Sequence, residues 1–185
     1  YKEKIDFRNN MRMDYSCKED YYNSIKELKE KYKDQIEIEL GFEVEYVPGL
    51  EDYLNELKNE TDKLILGQHF IFDDEGNIKI VGWGITDSND VIKYARYIEK
   101  AMEENLVDVN AHPDLFMLEK SSFKDAEKEA THIICKAAEK YKVPLEINLT
   151  RGALYLNKQI TKIGYPCKEF WEIASNYDVK VVYGV

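Results

Sequence analysis

Lys63-Leu64-Ile65-Leu66-Gly67-Gln68-His69 decides how this chain is read. A short apolar run ends on a glycine and delivers a histidine just past it. The arrangement returns at Leu106-Val107-Asp108-Val109-Asn110-Ala111-His112-Pro113-Asp114. A third run, Ile36-Glu37-Ile38-Glu39-Leu40-Gly41-Phe42-Glu43, ends on a carboxylate. In an α/β protein the C-terminal ends of parallel strands line one mouth, and chemistry collects there. Two imidazoles and a carboxylate on one rim look like part of a metal site.

The surrounding sequence supports that frame. Ser16, with Glu19 three residues on, suits a capping box. The helix it opens is expected to run to about Tyr32, with Tyr21, Ile25, Leu28 and Tyr32 on one face. Ile36 to Phe42 alternates apolar and acidic residues as a strand does. Pro48-Gly49 is a turn, and Leu50 to Leu57 a short helix. Leu64 to Leu66 reads as a buried strand. Phe70 to Gly84 reads as a hairpin-like excursion or loop, turning at Asp73-Asp74-Glu75-Gly76-Asn77. Asp87-Ser88-Asn89-Asp90 opens a helix to about Asn105, and Val107 to Val109 is the next strand. Ser121-Ser122 begins a long helix through Lys142. Val143 to Ile147 is a strand whose start Pro144 weakens. Pro166 suits the first turn of a helix ending near Asn176. Val179 to Tyr183 is the last strand. This alternation argues for a parallel sheet or barrel.

With 185 residues, the chain is one ordinary domain with room for a sizeable core. Its 44% apolar and 34% charged residues fit a soluble globular protein. No run approaches the ~18 apolar residues of a membrane helix, and Tyr1 to Asp6 has no signal-peptide core. The net charge of −10 argues against a broad nucleic-acid surface. It admits an anionic small substrate where metals supply positive charge. Cys17, Cys135 and Cys167 are odd in number and form no Cys-x-x-Cys pair, which suits reduced thiols in the cytoplasm.

Two features suggest part of a larger unit. Residues 1–15 are polar and irregular, so a loop and a helix come before any strand. The other end stops at or just after a strand. A closed eight-unit barrel takes roughly 250 residues, and five strand–helix units fall short of one.

Four motifs then stand in order: Gly41-Phe42-Glu43-Val44-Glu45-Tyr46, Ile65-Leu66-Gly67-Gln68-His69-Phe70, Asn110-Ala111-His112-Pro113-Asp114-Leu115 and Leu145-Glu146-Ile147-Asn148. In order and spacing they resemble the PHP (polymerase and histidinol phosphatase) domain. Pro48-Gly49 after the glutamate motif, and Phe70 after His69, bring the resemblance closest to the histidinol-phosphatase branch. The resemblance implies a distorted, TIM-like (β/α)7 barrel, here incomplete at both ends. It also implies a divalent metal cluster of Zn, Mn or Fe, usually trinuclear, at the C-terminal rim. Glu43 matches the family's bridging glutamate, and His69 and His112 match its two central histidines. The family's opening His-x-His and closing Asp-x-His have no counterpart, so an internal portion of a longer protein is expected, with a degenerate member as the alternative.

Each residue also has a plainer reading. His69 and His112 could be histidines satisfied by core or loop hydrogen bonds. His132, inside the long helix beside Ile133, reads as structural or surface. Glu45 shares Glu43's strand parity and could face the same way. Asp114 could orient His112 or simply cap a turn. Arg151 could pair with a substrate phosphate through its guanidinium fork, or lie on the surface. Asn148 could orient a ligand or its own loop. The aromatic excursion Phe70 to Trp83 could lid a substrate or pack as an ordinary loop.

The expected function is a metal-dependent phosphatase of small phosphorylated substrates, foremost L-histidinol phosphate in histidine biosynthesis. Its partners are that substrate and a second copy in a homo-oligomer, with no nucleic acid and no membrane. The alternatives are a PHP phosphoesterase with another substrate, such as a nucleotide, or a non-catalytic scaffold. With three of the family's ligands, this chain by itself is expected to hydrolyse nothing efficiently.

Overall fold

A computed structural model describes residues 13–85, 87–162 and 164–184. The stretch from Arg8 to Arg12, expected to be irregular, lies outside the described residues. The chain falls into two compact units, residues 1–40 and residues 41–185.

In the first unit a single turn, Tyr15–Cys17, leads into helix α1, Lys18–Tyr32. The helix is where its pattern put it, but the cap is not. The cap position of α1 is Cys17, which makes no side-chain cap bond, and the Asp14 carboxylate, accepting from the Ser16 amide at 2.9 Å, caps the Tyr15–Cys17 turn instead. The expected face is also rotated: Tyr22 is buried and Leu28 is exposed.

The second unit is a mixed α/β fold around a parallel sheet. Its strands are β1 (Gly41–Val44), β2 (Lys63–Leu66), β5 (Val109–Asn110), β6 (Leu145–Asn148) and β7 (Val181–Gly184). They lie side by side in the order β1-β2-β5-β6-β7, every pair parallel. An antiparallel hairpin of β3 (Phe70–Phe72) and β4 (Ile78–Ile80) follows β2. The helices are α2 (Glu51–Glu60), α3 (Ser88–Glu103), α4 (Asp125–Tyr141), α5 (Thr150–Leu156) and α6 (Lys168–Ala174).

Sequence and structure differ mainly at boundaries, for local reasons. The first strand starts at Gly41, not Ile36, because its ladder with β2 begins at the Gly41–Lys63 pair. Upstream, the Ile36 side chain is exposed, so alternation there does not mark a strand. α4 starts at Asp125, not Ser121, because the Glu127 carboxylate accepts from the Lys124 amide at 2.9 Å. That carboxylate also pairs with Lys120 at 2.6 Å. Pro166 stands just ahead of the α6 cap, Cys167, not in its first turn. β5 is only two residues long, since Asp108 spends its side chain on the Leu64 amide at 2.8 Å.

The core follows from periodicity. Val91, Tyr94, Ala95, Ile98 and Met102 recur at helical spacing on α3 and are buried. Ala130, Ile133, Ile134, Ala137 and Ala138 do the same on α4. Small alanines on both helices admit close approach. In β2, Leu64 and Leu66 are fully buried while Ile65 between them is 38% exposed. The strand therefore has one buried face and one open one, not two buried faces.

Parity carries the site. Glu43 pairs in register with Ile65, and Ile65 with Val109. Glu43 thus projects from the open face, while Val44, Leu66 and Asn110 point into the core. The hairpin is clamped to α3 by Lys79, which grips the buried Asp90 carboxylate at 2.7 and 3.0 Å. No described helix is long and apolar enough to cross a membrane.

Candidate metal centre

The three candidate ligands chosen from the sequence meet at the C-terminal ends of three adjacent strands. Glu43 lies on β1, His69 three residues past β2, and His112 two residues past β5. One donor atom from each falls within 4.8 Å of the others. Glu43 Oε1 stands 3.4 Å from His112 Nε2 and 3.8 Å from His69 Nε2. The imidazole rings have centroids 4.8 Å apart.

Gly67 makes room for this arrangement. A Cβ there would overlap the Glu43 carboxylate and come within 2.8 Å of Glu43 Cγ. The glycine that ends the β2 run thus leaves space for the carboxylate from the neighbouring strand.

Each histidine is anchored by a further carboxylate from an adjacent strand. Glu45, just past β1, accepts from the His69 amide at 2.8 Å and meets His69 Nδ1 at 2.8 Å. Glu146 on β6 accepts from the His112 amide at 2.9 Å. Glu146 in turn lies beside Gly184, where a Cβ would overlap its carboxylate. Burial raises the pKa of Glu45, an effect that His69 partly offsets. Burial also disfavours the His69 imidazolium. The Glu45 hydrogen bond and the charges of Glu45 and Glu43 outweigh that, so the ring titrates above its ordinary value.

His112 adopts a left-handed backbone, φ 35°. Such a conformation costs a branched-Cα residue about 1–3 kcal/mol and persists where surrounding contacts hold it. Glycine bears no such cost. A His112→Gly variant is therefore expected to melt above His112→Ala, by about 1 kcal/mol in denaturant titrations, though both lose the imidazole.

Asp114 is not a turn cap. It is fully buried and makes no cap bond. Its Oδ2 accepts from the Cys167 amide at 2.6 Å and from Trp171 Nε1 at 3.2 Å. It ties the His112 turn to the start of α6, and burial lifts its pKa to about 6.

Asn148 ends β6, and Arg151 lies three residues past it. Asn148 Oδ1 accepts from the Thr150 amide at 3.1 Å, bracing the loop into α5. Arg151, in the first turn of α5, donates from Nη2 to the Lys162 carbonyl at 3.0 Å. Its guanidinium lies 5.9 Å from the centre of the Tyr165 ring, and that ring is 6.2 Å from His112. Tyr165 thus neighbours both the arginine and the histidine. His132 is apart from all this, with Nδ1 2.6 Å from the Tyr177 hydroxyl.

Two solved structures share this architecture. A protein assigned as the histidinol phosphatase HisK of Listeria monocytogenes aligns with a TM-score of 0.72 at 22% identity, covering 93% of this chain and 71% of its own. The chain has the fold of the PHP-type histidinol phosphatases. Histidinol phosphate phosphatase (HisK) of Lactococcus lactis subsp. lactis, complexed with Zn, L-histidinol and phosphate, aligns with a TM-score of 0.63 at 16% identity. That match covers 90% of this chain and 65% of the other. No family model and no curated protein sequence matches the chain.

The donor chemistry fits a divalent metal. Neutral imidazole nitrogens and a carboxylate oxygen are the ordinary ligands of zinc, and imidazole with carboxylate also suits manganese or iron. With Nδ1 of His69 turned to Glu45, its Nε2 is left facing Glu43.

Sequence reasoning did not assign Glu146 or Tyr165 to the site, and it left Glu45 at strand parity. For Glu45 and Glu146 the signal was there: each carboxylate lies on or just past a strand neighbouring the one whose histidine it holds. Tyr165 belongs to an irregular segment and gave none.

Proposed function

We propose that this chain carries the metal centre of a phosphoric monoester hydrolase, a histidinol-phosphatase acting on L-histidinol phosphate in histidine biosynthesis. The observation that carries the proposal is the convergence of Glu43, His69 and His112 on one rim, with Arg151 and His112 both beside the Tyr165 ring. The likeness in fold to a phosphatase complexed with Zn, L-histidinol and phosphate supports this substrate class. The free cysteines Cys17, Cys135 and Cys167 accord with a cytoplasmic enzyme.

Uncatalysed phosphate monoester hydrolysis is among the slowest of biological reactions. A divalent metal held by Glu43, His69 and His112, alone or within a larger cluster, supplies Lewis acidity toward phosphoryl oxygens and a nucleophile near neutral pH. The chain's own residues do the rest. Glu45 holds His69 by its amide and its ring, while Glu146 holds the His112 amide and close packing confines that ring. Arg151 presents a planar fork suited to phosphate oxygens. The Lys162 carbonyl and the Tyr165 ring hold that fork before any anion arrives, which limits the ordering cost of binding.

The test is phosphate release from L-histidinol phosphate by the longest form its gene encodes, with Zn or Mn added and a chelator as control. Chelator-sensitive release is expected. No release with metal bound would move the substrate elsewhere, and no metal bound would leave a scaffold. Arg151→Ala is expected to raise KM about tenfold or more, since a hydrogen bond to a charged group is worth about 1.5–3 kcal/mol. Steady-state kinetics against the phosphate monoester reads that change.

A further inference from the structure

We propose that Glu45 is the positioning residue of His69: it holds that histidine's main chain and ring together and so fixes which nitrogen faces the metal. The proposal rests on the metal centre proposed above and names how one of its ligands is held.

The geometry is a two-point clamp. Glu45 Oε2 takes the His69 amide and Oε1 takes ring Nδ1, both at 2.8 Å. A neutral imidazole carries one N–H. With that hydrogen on Nδ1 and directed at Glu45, the lone pair resides on Nε2, the atom facing Glu43. Attachment at both amide and ring also opposes rotation of the side chain, which attachment at the amide alone would not.

Comparison with His112 shows why a clamp is needed here. His112 also has its amide held by a carboxylate, but its Nδ1 has no hydrogen-bond partner among the described residues. Its side chain is only 9% exposed, so packing confines the ring. The His69 side chain is 45% exposed. Packing alone leaves that ring free to turn, and Glu45 does for His69 what burial does for His112. Glu45 itself is largely shielded by its surroundings, which strengthens the hydrogen bond.

The experiment uses the full chain, its Glu45→Ala and Glu45→Gln variants, and His69→Ala for comparison. Zinc affinity is read by competition with a chelator of known affinity. The His69 tautomer is read from long-range ¹H–¹⁵N correlations before metal is added, at alkaline pH where the ring is neutral. Glu45→Ala is expected to weaken zinc binding about 10- to 100-fold, the range for a partner that orients a ligand. Glu45→Gln, which keeps one acceptor oxygen and the same shape, is expected to lose less. The wild-type ring is expected as the Nδ1–H form, with loss of that preference in Glu45→Ala. A role only in stability would move the melting temperature and leave the tautomer unchanged. Zinc binding by Glu45→Ala within twofold of wild type, or an Nε2–H ring in the wild type, overturns this proposal alone. No zinc binding by the wild type overturns the metal reading with it. Should Glu45→Ala fail to fold, the isosteric Gln variant and the wild-type tautomer still decide.

Discussion

Zinc affinity is expected to fall by more than about 100-fold when His112 is replaced by alanine, exceeding the ~10- to 100-fold range that partners of ligands carry. His112 is the most enclosed of the three donors, and its Nε2 stands 3.4 Å from Glu43. Its amide is held by Glu146, so the turn places the ring without help from solvent. Removing the imidazole deletes a donor that no other side chain of the gathered group supplies. Chelator competition on the purified variant gives the number. A loss below tenfold would mean that the metal, if bound, sits elsewhere. The effect should also separate from stability, because the fold is held by the α3–α4 core rather than by this ring.

Gly67→Ala should produce the opposite profile to a core mutation: little change in melting and a large loss of metal. Gly67 is not in the left-handed region, so an alanine there is unstrained. What its Cβ meets is the Glu43 side chain from Cγ outward, a flexible chain 53% exposed on the open face of the sheet that a change of rotamer turns aside. Glu43 can swing away at small cost in stability, within about 0.5 kcal/mol as for surface changes generally. Swinging away removes the carboxylate from both histidines. Zinc affinity is expected to fall about 100-fold, comparable with deleting the ligand. Thermal melts paired with zinc competition check both halves. Unchanged zinc binding would show that Glu43 is not a ligand.

The gathering of the candidate residues was legible in the sequence where strand parity and strand ends determine position. Glu43, His69 and His112 stand at the ends of neighbouring parallel strands because β1, β2 and β5 follow one another in the sheet. The strands themselves were legible in type but not in length. Ile36 to Leu40 alternates like a strand, yet pairing requires a partner, and β2 offers none before Lys63. Helix α5 was missed because Gly152 and a short seven-residue span give no apolar period. Asp114 read as a turn cap or a residue orienting His112. Only the fold brings Cys167 and Trp171, more than fifty residues on, against its carboxylate. The clamp of Glu45 on His69 needed two distances that no spacing in the chain encodes.

Anomalous diffraction at the zinc absorption edge, from crystals of this chain grown with zinc, tests the central claim most directly. The account requires a peak within about 2.0–2.2 Å of a Glu43 carboxylate oxygen, His69 Nε2 and His112 Nε2. Zinc bound only at other residues, or no peak at this rim in crystals that contain zinc, would contradict it.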